Sequence, residues 1–257
     1  MKAGGKRGPR GTSDSGGKRG GEPTGASVAS KSGGPKATGS ATNALKGKLA
    51  PGLYVVATPI GNLGDMTARA ARTLRDADLI ACEDTRVSRK LLEHYGIATA
   101  TTAYHDHNAA AVRPALLKRI AEGAAVALIS DAGTPAISDP GYKLVREAHA
   151  QGLAVSVVPG ASSVLAALVA SGLPTDRFLF EGFLPAKDMQ RRDRITALSR
   201  IPASLVLFES GPRIAATLSD LAAALGGREA AICRELTKLH EEVRRTPLPA
   251  LAAHYAG

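Results

Sequence analysis

Residues 125–141 read Ala125-Val126-Ala127-Leu128-Ile129-Ser130-Asp131-Ala132-Gly133-Thr134-Pro135-Ala136-Ile137-Ser138-Asp139-Pro140-Gly141. The first part is an apolar run of strand length. The twelve residues from Ser130 to Gly141 are rich in Gly, Pro, Asp and Ser and are more than a turn requires, so they predict a ligand-binding loop. Helical spacing follows over 142–150, which completes a strand, loop and helix unit.

The same unit recurs on both sides. Apolar runs at 53–57, 79–82, 98–103, 125–130 and 154–158 alternate with helical stretches at 67–75, 88–95, 109–122, 142–150 and 162–171. Apolar strands alternating with helices specify a parallel-rich α/β sheet covered on both faces. Gly172, Leu173 and Pro174 interrupt the rhythm, and a second α/β unit follows, with strands at 178–183, 204–208 and 230–233 and helices at 188–200 and 214–225. The sequence thus divides into residues 1–50, an N-terminal α/β domain at 51–172 and a C-terminal α/β domain at 173–257, the last with a parallel or mixed sheet.

Residues 1–50 hold 13 of the 28 glycines, with Val28, Leu45 and Leu49 as their only large aliphatic side chains. Such a segment cannot offset its ordering entropy by burial and is expected to be disordered. It also carries +8 of the formal +10 charge, so residues 51–257, with 23 basic and 21 acidic side chains, are only +2. A flexible polycation can raise affinity for RNA; a solvated extension with no dedicated role fits equally well. No secretory signal or membrane span is read from the sequence, so a cytoplasmic location is expected. Cys82 and Cys233 each lie in a strand-like apolar run and read as small buried hydrophobes, with neither a disulfide nor a metal site expected.

In open α/β sheets ligands bind beyond the carboxyl ends of the strands. The loop at 58–65 (Thr-Pro-Ile-Gly-Asn-Leu-Gly-Asp) suits close backbone approach to a ligand, or is a tight turn in which Asp65 caps the next helix. Glu83-Asp84-Thr85-Arg86 reads as a functional cluster or as a helix cap with a local ion pair. Tyr104-His105-Asp106-His107-Asn108 reads as a polar substrate loop rather than a zinc site, since no third His or Cys accompanies it. Gly160 in the 158–163 loop permits close approach, and Ser162 or Ser163 can cap the helix that follows. Dinucleotide and P-loop signatures are missing, as are glycosidase, triad-hydrolase and kinase patterns.

Taken in order, the segments 55–67, 78–86, 105–108, 130–141, 158–163, 180–187 and 234–238 resemble the ribosomal small-subunit methyltransferase I family, cytidine 2′-O-methyltransferases of the tetrapyrrole-methylase superfamily. The resemblance runs from Leu53 to about Leu248. It implies two α/β domains of the tetrapyrrole-methylase type with S-adenosylmethionine in a cleft between them, a homodimer, and 16S rRNA of the small ribosomal subunit as substrate. It places Pro59, Ser130, Asp131, Ala132, Gly133, Pro135 and Ser162 on the cofactor side. On the substrate side it places Glu83, Asp84, Arg86, His105, Asp106 and Asn108. The family pattern continues past a helix near 249–254 into a further strand preceded by a Lys-Gly-Glu-like segment; that strand is expected to be lacking here, and the Gly-rich tail lies outside the pattern.

Methyl transfer to a ribose hydroxyl needs chiefly alignment and a group that removes the proton late. Asp84, His105, Asp106 and His107 are candidates, and the sequence does not choose among them. Lys187, Arg191 and Arg194 share one side of a helix and can contact RNA phosphates, or form a solvated basic face. With 4% aromatic residues and no tryptophan, no stacking platform for RNA bases is evident. The alternatives are a tetrapyrrole C-methyltransferase of the same superfamily, disfavoured by Asn62 where a Gly-Asp-Pro pattern is expected, and a non-catalytic RNA-binding module.

Overall fold

The computed structural model describes residues 49–139 and 141–257. Of the tail expected at 1–50, all but Leu49 and Ala50 lie outside the described residues. Five strands, β1 (Gly52–Val56), β2 (Leu79–Cys82), β3 (Thr101–Ala103), β4 (Ala125–Ile129) and β5 (Val155–Val158), form a sheet in the order β3-β2-β4-β1-β5. Every pairing is parallel, and Val55 lies between Leu128 on β4 and Val157 on β5.

Side chains alternate across the sheet, so each strand feeds two cores. Val56, Ile80 and Ile129 point to the face covered by α1 (Ala68–Asp76) and α2 (Thr85–His94), meeting Leu74 and Leu92. Leu53, Val126 and Leu128 point to the other face, covered by α3 (Ala109–Ala121) and α4 (Gly141–Ala150), meeting Leu117 and Leu144. β1 therefore leaves the sheet toward one face through α1, while β4, its neighbour, leaves toward the other through α4. That divergence opens a crevice above the ends of β1 and β4, where such sheets bind ligands.

The Thr67 hydroxyl caps α1, accepting from the Ala70 N–H at 3.1 Å. The expectation that Asp65 caps it is corrected. Asp65 instead closes a short 3-10 turn, Leu63–Asp65, which Asn62 caps by accepting from the Gly64 N–H at 2.9 Å. Ser162 caps α5 (Ser163–Ala170), and Gly172, at φ +64°, turns the chain into the second half.

There β6 (Phe178–Phe183) pairs in parallel with β7 (Ser204–Phe208) across α6 (Asp188–Leu198). After α7 (Ile214–Leu225), β8 (Glu229–Arg234) pairs antiparallel with β9 (Glu242–Pro247), and α8 (Leu248–Tyr255) follows. Leu184, Ile195, Leu198, Leu218, Leu221 and Leu251 form a separate core for α6, α7 and α8. Instead of the one parallel or mixed sheet expected, the second half has two separate two-stranded sheets, one parallel and one antiparallel, and β7 and β8 both line a cavity of about 1360 Å³. β9 was not expected, because Glu-Val-Arg-Arg-Thr-Pro lacks an apolar run; pairing to β8 alone makes it a strand. Among the described residues no helix is long and apolar enough to cross a membrane.

Candidate active site

Four post-strand loops of the first sheet meet above β1 and β4. Thr58 and Gly133 are tied by two backbone hydrogen bonds, and the Thr58 hydroxyl donates to the Ser130 carbonyl at 3.2 Å. Thr134 donates through its hydroxyl to the Ala161 carbonyl at 3.2 Å, joining the loop after β5. The Asp84 N–H donates to Asp131 Oδ1 at 3.1 Å, joining the loop after β2. Neither Thr58 nor Thr134 was singled out from sequence, since a threonine beside a turn carries no signal of its distant partner.

Close approach is built in. Gly133 sits at φ +78°, and a Cβ there would lie 3.3 Å from Ile60 Cγ2; at Gly160 it would lie 3.1 Å from the Ala57 Cβ. Ala136 and Ser138 also adopt positive φ, a strain that persists only where surrounding structure imposes it. The second half closes the site from the opposite side. A Cβ at Gly61 would meet the Lys238 side chain, and Gly182 in the bulge of β6 stands against Ser138. Between the halves lies a cavity of about 220 Å³ lined by Ile60, Ser163, Phe208, Glu235, Leu236 and Lys238, among others. The larger cavity is lined mostly by the second half, with Ala167, Leu168 and Ser171 of the first, and the smaller one meets the first half through Ile60 of the loop after β1 and through Ser163 and Ala167 of α5.

Of the residues expected on the cofactor side, Pro59, Ser130, Gly133 and Pro135 are buried beneath these loops, while Asp131 and Ala132 are exposed. The Asp131 and Ala132 N–H groups donate to no acceptor among the described residues. N–H groups without a protein acceptor beside a glycine suit a polar ligand group, and the smaller cavity mixes apolar side chains such as Ile60 and Leu236 with Glu235 and Lys238. Ser162 instead spends its hydroxyl on the α5 cap, accepting from the Leu165 N–H at 3.5 Å.

The substrate-side candidates separate. The Arg86 side chain holds the Asp84 carboxyl well below the usual carboxylate range: Arg86 donates to it from Nε at 3.1 Å, from Nη2 at 2.7 Å and from its backbone N–H at 2.8 Å. A carboxylate so satisfied is a poor proton acceptor. Glu83 is its opposite. Although Glu83 is exposed, partial desolvation at its carboxyl pushes it up, nearby Asp131, Asp139 and Asp106 add to the rise, and His105 offsets part of it. His105 Nδ1 is buried without a partner, and its ring meets His107 edge-on at 6.0 Å.

Two expectations are corrected. Asn108 is consumed locally: its Oδ1 accepts from the His105 N–H at 2.8 Å and its Nδ2 donates to the Ala103 carbonyl at 3.0 Å, which clamps the loop rather than presenting an amide to substrate. Arg191 is 4% exposed and paired with Asp188 at 3.0 Å and Asp220 at 2.8 Å, so it offers no phosphate contact. Arg194 is likewise paired, with Glu181. Lys187, at the start of α6, is exposed. All four phenylalanines lie on β6 and β7, and Phe183, 59% exposed, packs on Phe208 at 5.5 Å at the cavity. An aromatic surface that low aromatic content had hidden therefore stands beside the loops.

Comparison with known proteins follows the same outline. Residues 52–252 match the family model described as Tetrapyrrole (Corrin/Porphyrin) Methylases. The "Ribosomal RNA small subunit methyltransferase I" of Mesorhizobium japonicum is 59% identical over 209 residues, 81% of this chain and 71% of that protein. The protein of the same name from Halalkalibacterium halodurans is 51% identical over 204 residues, 79% of this chain and 70% of that one. Among solved structures, uroporphyrin-III C-methyltransferase from Thermus thermophilus, complexed with S-adenyl homocysteine, superposes with TM-score 0.54 over 80% of this chain and 91% of its own. At 20% identity that likeness concerns the fold alone.

Proposed function

Because the chain belongs to the tetrapyrrole methylase family, as an enzyme that methylates small-subunit ribosomal RNA with S-adenosylmethionine, we propose that the methyl group goes to the 2′-oxygen of a cytidine ribose. The observation that carries this reading is the position of Glu83, a carboxylate of raised proton affinity set among Asp106, Asp131 and Asp139 beside the bridged loops of Thr58 and Gly133. A hydroxyl nucleophile must lose a proton; desolvation raises both Glu83 and Asp139 in this cluster, and because Asp139 Oδ1 already accepts from the Gly141 N–H at 2.6 Å, Glu83 is the proposed acceptor.

Gly133, Asp131, Ala132 and the cavity wall at Ile60, Leu236 and Lys238 would hold the cofactor. Bound there, S-adenosylmethionine supplies an electrophilic methyl group on a sulfonium. The loops then serve mainly to align the hydroxyl and exclude water. Asp84 and Arg86 hold the start of α2 and so the orientation of Glu83, while Asn108 fixes His105 and Asp106 opposite.

The division into domains at 51–172 and 173–257 is supported by separate cores on either side of Gly172. A homodimer is supported by apolar residues left exposed at the free edge of the first sheet, Val157 on β5 and Leu165 and Val169 on α5, with Val169 76% exposed. The cytoplasm, where ribosomal subunits are assembled, is the matching location. Mass spectrometry of nuclease-digested RNA, after incubation with assembled small subunits, naked 16S rRNA or a porphyrin precursor, tests the reading. A ribose-methylated cytidine from the subunit is expected, and a methylated base or porphyrin overturns it.

A further inference from the structure

Of the basic residues on α6 read as possible RNA contacts, Arg191 pairs with Asp220 and Arg194 with Glu181. Other arginines of the second half are paired too: Arg192 shares Asp220, and Arg234 and Arg244 share Glu242. The opposite holds on α1 and α2. Arg69, Arg72 and Arg75 recur every three residues along the exposed side of α1, and Arg86, Arg89 and Lys90 lie on the exposed side of α2. Among the described residues, no carboxylate pairs with Arg69, Arg72, Arg75, Arg89 or Lys90. Arg69 and Arg75 donate only to main-chain carbonyls, those of Val157 at 3.4 Å and Tyr95 at 3.3 Å. Arg86, paired with Asp84, keeps its side chain 85% exposed.

These residues lie on one side of the molecule, because α1 and α2 cover the same face of the sheet and share a core through Leu74 and Leu92, and Arg75 of α1 reaches the Tyr95 carbonyl at the end of α2 at 3.3 Å. The charge is concentrated there. The two helices hold six basic side chains against Asp76 and Glu93, a net +4, whereas residues 51–257 as a whole are +2. Both helices also begin at the site: α2 starts directly after Glu83 and Asp84, and α1 follows the loop that carries Pro59 and Ile60. From Arg69 to Arg75 the row extends about 9 Å away from that rim.

We propose that the exposed faces of α1 and α2 form the RNA-docking surface of this enzyme, a basic ridge that takes the phosphate backbone of the substrate and leads it to the loops above β1 and β4. The proposal rests on the reading that the substrate is ribosomal RNA. Unpaired guanidinium and ammonium groups on rigid helices neutralise phosphates without first breaking an ion pair, and they read backbone position rather than base identity. That fits an enzyme whose specificity comes from the shape of an assembled RNA.

The test compares two triple variants in the full chain by binding to a 16S rRNA fragment over a range of salt concentrations. Arg72→Ala, Arg89→Ala and Lys90→Ala together remove three ridge charges that make no hydrogen bond or ion pair among the described residues. Lys118→Ala, Arg119→Ala and Lys143→Ala remove the same charge from α3 and α4 on the opposite face. The ridge variant should bind about tenfold more weakly at 0.1 M salt, with the slope of log K against log salt reduced by about 2, while the control stays within about twofold of the parent. Both should keep the parent's Tm and S-adenosylmethionine affinity. Equal losses in the two variants, or none in the ridge variant, overturn the ridge and leave the functional reading intact. A parent chain that binds no RNA overturns both.

Discussion

Thr58 and Gly133, 75 residues apart, bond to each other in both directions: the Thr58 N–H donates to the Gly133 carbonyl at 2.9 Å and the Gly133 N–H to the Thr58 carbonyl at 3.1 Å. This isolated bridge is antiparallel, unlike the parallel β1–β4 pairing below it, and it fixes the two loops that a ligand would touch. It also requires φ +78° at Gly133, where an L side chain is strained.

Gly133→Val should therefore weaken S-adenosylmethionine binding at least tenfold, because its branched side chain meets Ile60 and forces the loop from its bridge. Positive φ alone costs about 1–3 kcal/mol, so Tm should also fall by several degrees. Isothermal calorimetry separates the effects when Gly133→Ala is measured alongside: cofactor affinity equal to the parent's in both variants would remove this loop from the site.

Glu83→Gln should lower the methylation rate by about a hundredfold or more while leaving cofactor affinity unchanged. Its stability should move the other way. The Glu83 carboxyl binds its proton more tightly in the fold than in the unfolded chain, so its contribution falls as pH rises from the ordinary Glu value through the raised one. At pH 7 the glutamine variant should melt higher, by about 1–2 °C given solvent screening, and the gap should close near pH 4. Parallel melting curves at pH 4 and pH 7 check the sign.

For Asp84 the linkage is reversed. Its carboxyl is held low by Arg86, so the stability it adds is fully present above the ordinary Asp value and is lost as pH falls below it. Asp84→Ala removes the α2 cap and the Arg86 pair and should lower stability at pH 7. Chemical denaturation at pH 7 and at pH 3 should show the difference shrinking in acid.

Phe183→Ala should raise KM for the RNA about tenfold and spare kcat, as expected if the exposed ring stacks on a base beside the site for about 1–3 kcal/mol. An unchanged KM would return Phe183 to the role of a surface side chain packed on Phe208.

Hydrogen exchange should divide the two halves. β4 pairs on both sides and is buried throughout, whereas β7 and β8 each pair on one side only and line the large cavity. Amides of Ala127 and Leu128 should exchange at least a hundredfold more slowly than those of β7 and β8. Equal protection would mean that the cavity is closed in solution.

Much of this molecule was legible before any coordinate. Apolar runs separated by helical spacing specify the strands and helices of a parallel α/β sheet because side-chain periodicity is a local property. Thr67 and Ser162 cap the helices they precede for an equally local reason. The loops rich in glycine announce themselves by length and composition. What the sequence does not carry is adjacency. The order β3-β2-β4-β1-β5 brings Glu83, Asp106, Asp131 and Asp139 together, and only that proximity raises Glu83 above Asp84 as a proton acceptor. Arg191 fits a helix face that could meet RNA, yet Asp220 on another helix buries it as an ion pair, while the row Arg69, Arg72 and Arg75 is left unpaired. Periodicity tells which side of a helix is polar; tertiary structure alone decides whether those charges meet carboxylates or solvent, because their partners come from chain segments far away in sequence.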